Sequence, residues 1–226
     1  MRNMDWLRKT PVLRLNEIAR RLSSKGYARL AVHRMVKQGA VARVTKGAYS
    51  ASDDIFAVAT NLHYPSYASF LAASYRQGLT EAIPRLITVA TTKRHPPIDF
   101  KRYRIEFARL SHIWGYHKEG DGANVAFIAD IEKLMLDAFL RPGLMGNFEE
   151  IRNVFKNGES IDAEKIRAYL KRLGSNKIYR QVGYMLGEYN GMDIHGLIPV
   201  DNNYYDLNPF AKKTGKTADK KWRLWV

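Results

Sequence analysis

The chain of 226 residues contains no cysteine. This excludes a disulfide framework and any zinc or iron–sulfur centre held by thiolates, and it fits a reducing compartment. No run reaches the roughly 18 apolar residues that a membrane-spanning helix needs. The N-terminus, MRNMDWLRKT, lacks the apolar stretch of a secretion signal. A cytoplasmic protein with no membrane association is therefore expected. The six histidines show neither HExxH nor HxxxH spacing, and Gly120-Asp121-Gly122 lacks both the Lys-Ser/Thr of a P-loop and the longer dinucleotide fingerprint. It reads as a loop, and His112 and His117 read as part of a surface turn. No metal, no cofactor and no catalytic residue is expected.

Acidic residues are scarce. Against 37 Lys and Arg stand 22 Asp and Glu, a net charge of +15. Residues 1–52 carry twelve Lys/Arg against Asp5 and Glu17, a net of +10, and residues 208–226 carry six against Asp219, a net of +5. The intervening residues are neutral in sum, so all the excess lies at the two ends. A basic module on a neutral body points to a polyanion site rather than to general solubility. With 46% hydrophobic residues, the chain can bury a core.

What is present at the N-terminal end is an ordered pattern. Met4–Lys9 suggests a short helix and 11–14 an extended link. Leu15, Ile18, Ala19 and Leu22 fall on one helical face. The stretch 23–26, Ser-Ser-Lys-Gly, is turn chemistry. A second helix is expected over Tyr27–Gln38, ending at Gly39. Wound at 3.6 residues per turn, it places Ala28, Ala31, Val32, Met35 and Val36 on the packing side. Tyr27, Arg29, Leu30, His33, Arg34, Lys37 and Gln38 occupy the other side, with three cations and no acid. Arginine pairs with guanine and glutamine with adenine, while Leu30 either meets a thymine methyl or packs on the first helix. Strands over 41–44 and 48–51, joined by Thr45-Lys46-Gly47, form a hairpin that offers Arg43 and Lys46 to phosphate or the minor groove. Helix, turn, helix and hairpin in this order outline a winged helix-turn-helix that reads double-stranded DNA.

The body begins near Asp53. A linking helix is expected over 55–62 and another from about Ser66 to Gly78, with strands over 86–91, 103–107 and 125–128. Asp130 caps a helix through Leu140 with Ile131, Leu134, Met135 and Ala138 as its apolar positions and Glu132 and Lys133 in an exposed first turn. Helices over 148–155, 162–173 and 175–189 complete a helical second half. The Lys-rich tail, Lys212, Lys213, Lys216, Lys220 and Lys221, suggests a mobile loop. It is either a second polyanion contact or a solvated basic loop. Residues 222–225 suggest a closing strand. The fold class expected is α+β: an N-terminal winged helix-turn-helix over 1–52 followed by a mixed α+β domain over 53–226.

Four segments carry a resemblance: MVKQGAVARVTKGAYSAS in the N-terminal module, PSYASFLAASYRQGLTEAIPRLITVATTKR at 65–94, ADIEKLMLDAF at 129–139, and the ending DLNP…KKWRLWV. In these the chain resembles the AbiEi-type antitoxins of type IV (abortive infection) toxin–antitoxin systems. The resemblance implies a two-domain DNA-binding repressor that binds inverted repeats in its own promoter, with two copies on DNA. It also implies that the C-terminal domain counteracts a nucleotidyltransferase-type toxin, with or without touching it.

Two other readings compete. One is a stand-alone winged-helix regulator with a sensing domain. The other is a winged-helix-guided nuclease using Asp130, Glu132, Lys133 and Asp137. A metal-dependent nuclease of the PD-(D/E)xK kind needs its second acid and lysine separated by one residue, whereas Glu132 and Lys133 are adjacent.

Overall fold

Local signals build the first elements. The computed structural model describes residues 9–199, 201–211, 215 and 217–226. Most of the helix expected over Met4–Lys9 falls outside them, as do Lys212, Lys213 and Lys216. The fold is α+β. The chain divides into two compact units, one comprising the described residues up to Ala68 with Arg85–Ile128, the other Ser69–Pro84 with the described residues from Ala129 onward.

In the first unit, β1 (Leu13–Arg14) runs into α1 (Leu15–Arg21), followed by α2 (Lys25–Lys37), β2 (Ala42–Thr45) and β3 (Ala48–Ser50). The second helix starts two residues before the expected Tyr27, because the Ser24 hydroxyl accepts the Tyr27 N–H (3.2 Å) and so caps the preceding turn. The three strands form an antiparallel sheet in the order β1-β3-β2. Gly47, at φ +77°, supplies the hairpin turn. Leu13, Ile18, Ala28, Val32, Met35 and Val41 make one small apolar core. Val36, expected on the packing face, is exposed instead.

The same unit holds a six-stranded sheet in the order β6-β7-β5-β4-β9-β8, with β4 Ser66–Ala68, β5 Leu86–Thr91, β6 Ile98–Phe100, β7 Tyr103–Arg109, β8 Tyr116–Glu119 and β9 Ala126–Ala129. Helix α3 (Ile55–Thr60) is buried along its whole length and lies against β4 and β5. Asp54 caps it through the Phe56 N–H (2.9 Å). Ser66–Ala68 is a central strand, not the start of a helix. Its backbone pairs antiparallel with 89–91 and parallel with Ile128, partners remote in sequence that override the local helical spacing. Helix α4 begins only at Phe70 and runs to Arg76. The turn expected around His112 and His117 includes an edge strand, since His117 lies on β8.

In the second unit α5 (Ile131–Leu140) is the centre, with every residue from Glu132 to Phe139 buried. Helices α4, α6 (Phe148–Lys156), α7 (Ala163–Leu173) and α8 (Asn176–Asn190) surround it. Burying each Leu, Ile or Phe there contributes about 1.5–3 kcal/mol. The glycine at 183 is required by a close approach: a Cβ built on it would lie 2.3 Å from the Trp222 ring. The expected closing strand is present as β12 (Leu224–Trp225). It pairs parallel with β10 (Tyr205–Asp206) and antiparallel with β11 (Ala218–Asp219), so part of the tail expected as loop is strand.

Candidate nucleic-acid interface

Burial of Ala28, Ala31, Val32 and Met35 fixes the rotation of α2 and leaves Tyr27, Arg29, Leu30, His33, Arg34, Lys37 and Gln38 exposed. Arg29, His33 and Lys37 follow one another at four-residue steps and so align along one stripe. Tyr27 and Leu30, at 53% and 45% exposure, add apolar surface beside them, so Leu30 does not serve the core. Val36 extends this exposed face, an addition the periodicity had assigned to the interior.

The hairpin is tied to the helices by backbone. The Leu15 N–H, at the start of α1, donates to the Gly47 carbonyl at the hairpin tip (2.9 Å). Ser50 Oγ donates to the Pro11 carbonyl (2.6 Å), closing the sheet around β1. Arg14, which no base-reading pattern singled out, anchors the module: its backbone N–H donates to Glu17 Oε2 (3.4 Å) and its guanidinium donates to the Leu62 carbonyl. Arg43 and Lys46 are both exposed, and Arg43 Nε reaches the Thr45 carbonyl (3.5 Å) of its own strand. The structure brings the eight residues expected to face DNA to the surface of two helices and a hairpin that are tied together by hydrogen bonds between residues remote in sequence. Between Lys9 and Ser52 the sequence has ten Lys/Arg and one acid, Glu17. Such a surface suits phosphate, and the arginines and glutamine also suit base edges.

Of the five tail lysines, Lys220 and Lys221 are among the described residues. Lys220 and Lys221 lie in an exposed turn, where Lys221 Nζ pairs with Asp193 Oδ2 at 2.9 Å.

No protein-family model and no curated protein matches the chain. Its structure is similar to one described as the crystal structure of RV2827C protein from Mycobacterium tuberculosis. The TM-score is 0.62 at 13% sequence identity, over 99% of this chain and 92% of that one. At that identity the likeness shows a shared fold.

The acidic and lysine cluster on α5 is placed differently from expectation. Glu132 and Lys133 are buried, not exposed in a first turn, and Asp130 makes no side-chain capping bond. Lys133 pairs with Asp137, both fully buried, and Ser69 Oγ donates to Asp137 Oδ2 (2.8 Å). Burial pulls the Lys133 ammonium below the usual lysine range, opposed by the charge of Asp137 and its hydrogen bond. Glu132 Oε1 accepts the Asp162 N–H (2.9 Å) at the start of α7, and its Oε2 faces Lys165 Nζ at 3.2 Å. Asp130 Oδ2 accepts from the Tyr169 hydroxyl (2.8 Å) and Lys165 Nζ (3.0 Å). Burial, then hydrogen bonding to Asp130, pushes the Tyr169 hydroxyl upward. Lys165 is also raised: burial is the largest single effect and acts downward, but the combined attraction of Asp130 and Glu132 outweighs it. These groups satisfy one another and tie α5 to α7. Among the described residues no three His, Asp or Glu side chains are grouped to hold a metal.

One titratable pair was invisible in the sequence. His63 and His95 stack with ring centroids 3.5 Å apart and planes 9° apart, with the Phe107 edge against both. Burial, then the charges of His95 and Arg14, lowers the His63 pKa to about 4. Thirty-two residues separate the two rings, and only the sheet brings them together.

Proposed function

We propose that this chain is a cytoplasmic winged-helix transcriptional autorepressor and antitoxin, acting without catalysis. The carrying observation is the exposed, acid-free face of α2, with Arg29, His33, Arg34 and Lys37 on it and the Arg43/Lys46 hairpin joined to the helices through Leu15 and Gly47. In this reading α2 enters the major groove of operator DNA, where Arg29, Arg34 and Gln38 read base edges, and the hairpin grips the phosphate backbone or minor groove. Inverted repeats would be occupied by two copies. The antitoxin part rests on the resemblance to AbiEi-type proteins, with a nucleotidyltransferase-type toxin as the partner.

Two experiments test the reading. Gel-shift titration of the DNA immediately upstream of the chain's own reading frame should give a discrete complex that Arg29→Ala/Arg34→Ala weakens; unchanged affinity removes α2 as the recognition element. Co-expression with the adjacent reading frame should relieve growth arrest caused by that frame alone. If the neighbour encodes no nucleotidyltransferase, the chain is instead a stand-alone regulator.

A further inference from the structure

Trp225 stands where two open cavities of the second unit meet. The larger, of about 600 Å³, is lined by Lys177, Tyr204, Tyr205 and Asp206 together with Trp225. The smaller, of about 390 Å³, also has Trp225 in its wall and adds Arg152, Tyr184, Glu188 and Tyr189. Both volumes fall in the range typical of ligand sites. Trp225 is 40% exposed and Tyr204 38%, with their ring centroids 5.1 Å apart.

The indole is held on a firm base. β12 is paired on both sides, the Trp225 carbonyl accepts the Leu207 N–H (2.9 Å), and Val226 and Thr217 exchange two backbone hydrogen bonds of 2.9 and 3.0 Å. Each cavity combines aromatic faces with a cation and a carboxylate: Lys177 and Asp206 in one, Arg152 and Glu188 in the other. Gly215 lines both. Aromatic faces stack on unpaired bases, cations attract the phosphates between them, and carboxylates accept from exocyclic amines. Paired bases in a duplex are already stacked and do not offer their faces.

We propose that these cavities form a binding site for single-stranded nucleic acid, with unpaired bases stacking on the exposed surface of the Trp225 and Tyr204 rings. This site is separate from the α2 surface and does not depend on the duplex-binding reading.

The test is fluorescence anisotropy of end-labelled single-stranded 12-mers, DNA and RNA. It uses the full chain and the full chain carrying Arg29→Ala/Arg34→Ala, so that removing duplex recognition leaves the second site readable. Binding of at least one polymer is expected in both proteins. Trp225→Ala or Tyr204→Ala should weaken it by roughly 5- to 150-fold for each stacked base released, while Trp225→Phe keeps most of it. An abasic 12-mer of equal charge should bind no better to wild type than the normal oligomer binds to Trp225→Ala. Tyr204 precedes β10, so Tyr204→Ala with a wild-type circular dichroism spectrum carries the test if Trp225→Ala does not fold. Equal affinity for abasic and normal oligomers overturns the proposal. So does undiminished binding in folded Tyr204→Ala, or no binding of either polymer. The tighter of the two polymers identifies the strand.

Discussion

Replacing Lys133 by methionine removes the cation from a pair whose side chains are both 0% exposed, while keeping a chain of similar length. Asp137 then loses its countercharge inside α5, although Ser69 Oγ still donates to it at 2.8 Å. The carboxylate is then left uncompensated against a desolvation penalty of several kcal/mol. Breaking a buried pair in this way costs about 3–5 kcal/mol. In a protein of this length that corresponds to a fall in Tm of roughly 6–20 °C. Lys133→Met/Asp137→Leu removes both desolvation penalties and leaves the Ser69 hydroxyl short of an acceptor, about 1 kcal/mol. The double variant should therefore be markedly more stable than the single one. Urea unfolding at pH 7, followed by circular dichroism, measures all three proteins. A single variant within about 0.5 kcal/mol of wild type, or a double variant as unstable as the single, refutes the reasoning.

Gly183→Ala would gain about 1 kcal/mol from helix propensity on an open helix face, but here the new methyl meets the Trp222 ring at 2.3 Å. Displacing the ring costs about 1–3 kcal/mol, so a lower Tm with red-shifted tryptophan emission is expected; a higher Tm would contradict the close approach. Ser74 is fully buried and its hydroxyl has no hydrogen-bond partner among the described residues, so Ser74→Ala should raise stability by about 1 kcal/mol in the same urea assay; a decrease of that size would show that the hydroxyl is bonded. The His63 pKa of about 4 lies below the value of 6.5 expected for an unfolded chain. Folding thus favours its neutral form, and this stability is complete above about pH 6.5 and lost as the pH falls toward 4. Discounted for its partial exposure, the effect is about 1–2 kcal/mol. Wild type should lose that much more than His63→Gln between pH 7.5 and 4.5 in urea midpoints, and parallel curves would remove His63 as the cause.

The N-terminal elements were legible because their signals are local. The Ile18/Ala19 spacing and Gly47 each act within a few residues, and every residue expected on the outer face of α2 is exposed, although the Ser24 cap starts that helix two residues before the expected Tyr27. Val36 departs because helical spacing alone does not say which positions other elements cover. Ser66–Ala68 departs for a stronger form of the same reason: Tyr67, Phe70, Leu71 and Ser74 have helical spacing, yet strand partners at 89–91 and 128 decide the backbone. The α5 charges were misplaced because adjacent Glu132 and Lys133 look solvated, and only α7, which brings Lys165 and Tyr169, together with Ser69, makes their burial tolerable. The His63–His95 stack and the aromatic walls around Trp225 are likewise products of assembly, without any motif in the sequence.

DNA reading by α2 is tested most directly by titrating wild type, Arg29→Ala/Arg34→Ala and Arg43→Ala/Lys46→Ala against two duplexes. One is the DNA immediately upstream of the reading frame and the other is a scrambled duplex of equal length. Truncating Arg29 and Arg34 should remove most of the preference for the upstream duplex, at about 1–3 kcal/mol for each arginine–base pairing abolished. Truncating Arg43 and Lys46 should weaken both duplexes alike and reduce the salt slope by roughly 2. An Arg29→Ala/Arg34→Ala protein that keeps both its affinity and its preference would contradict recognition through this helix.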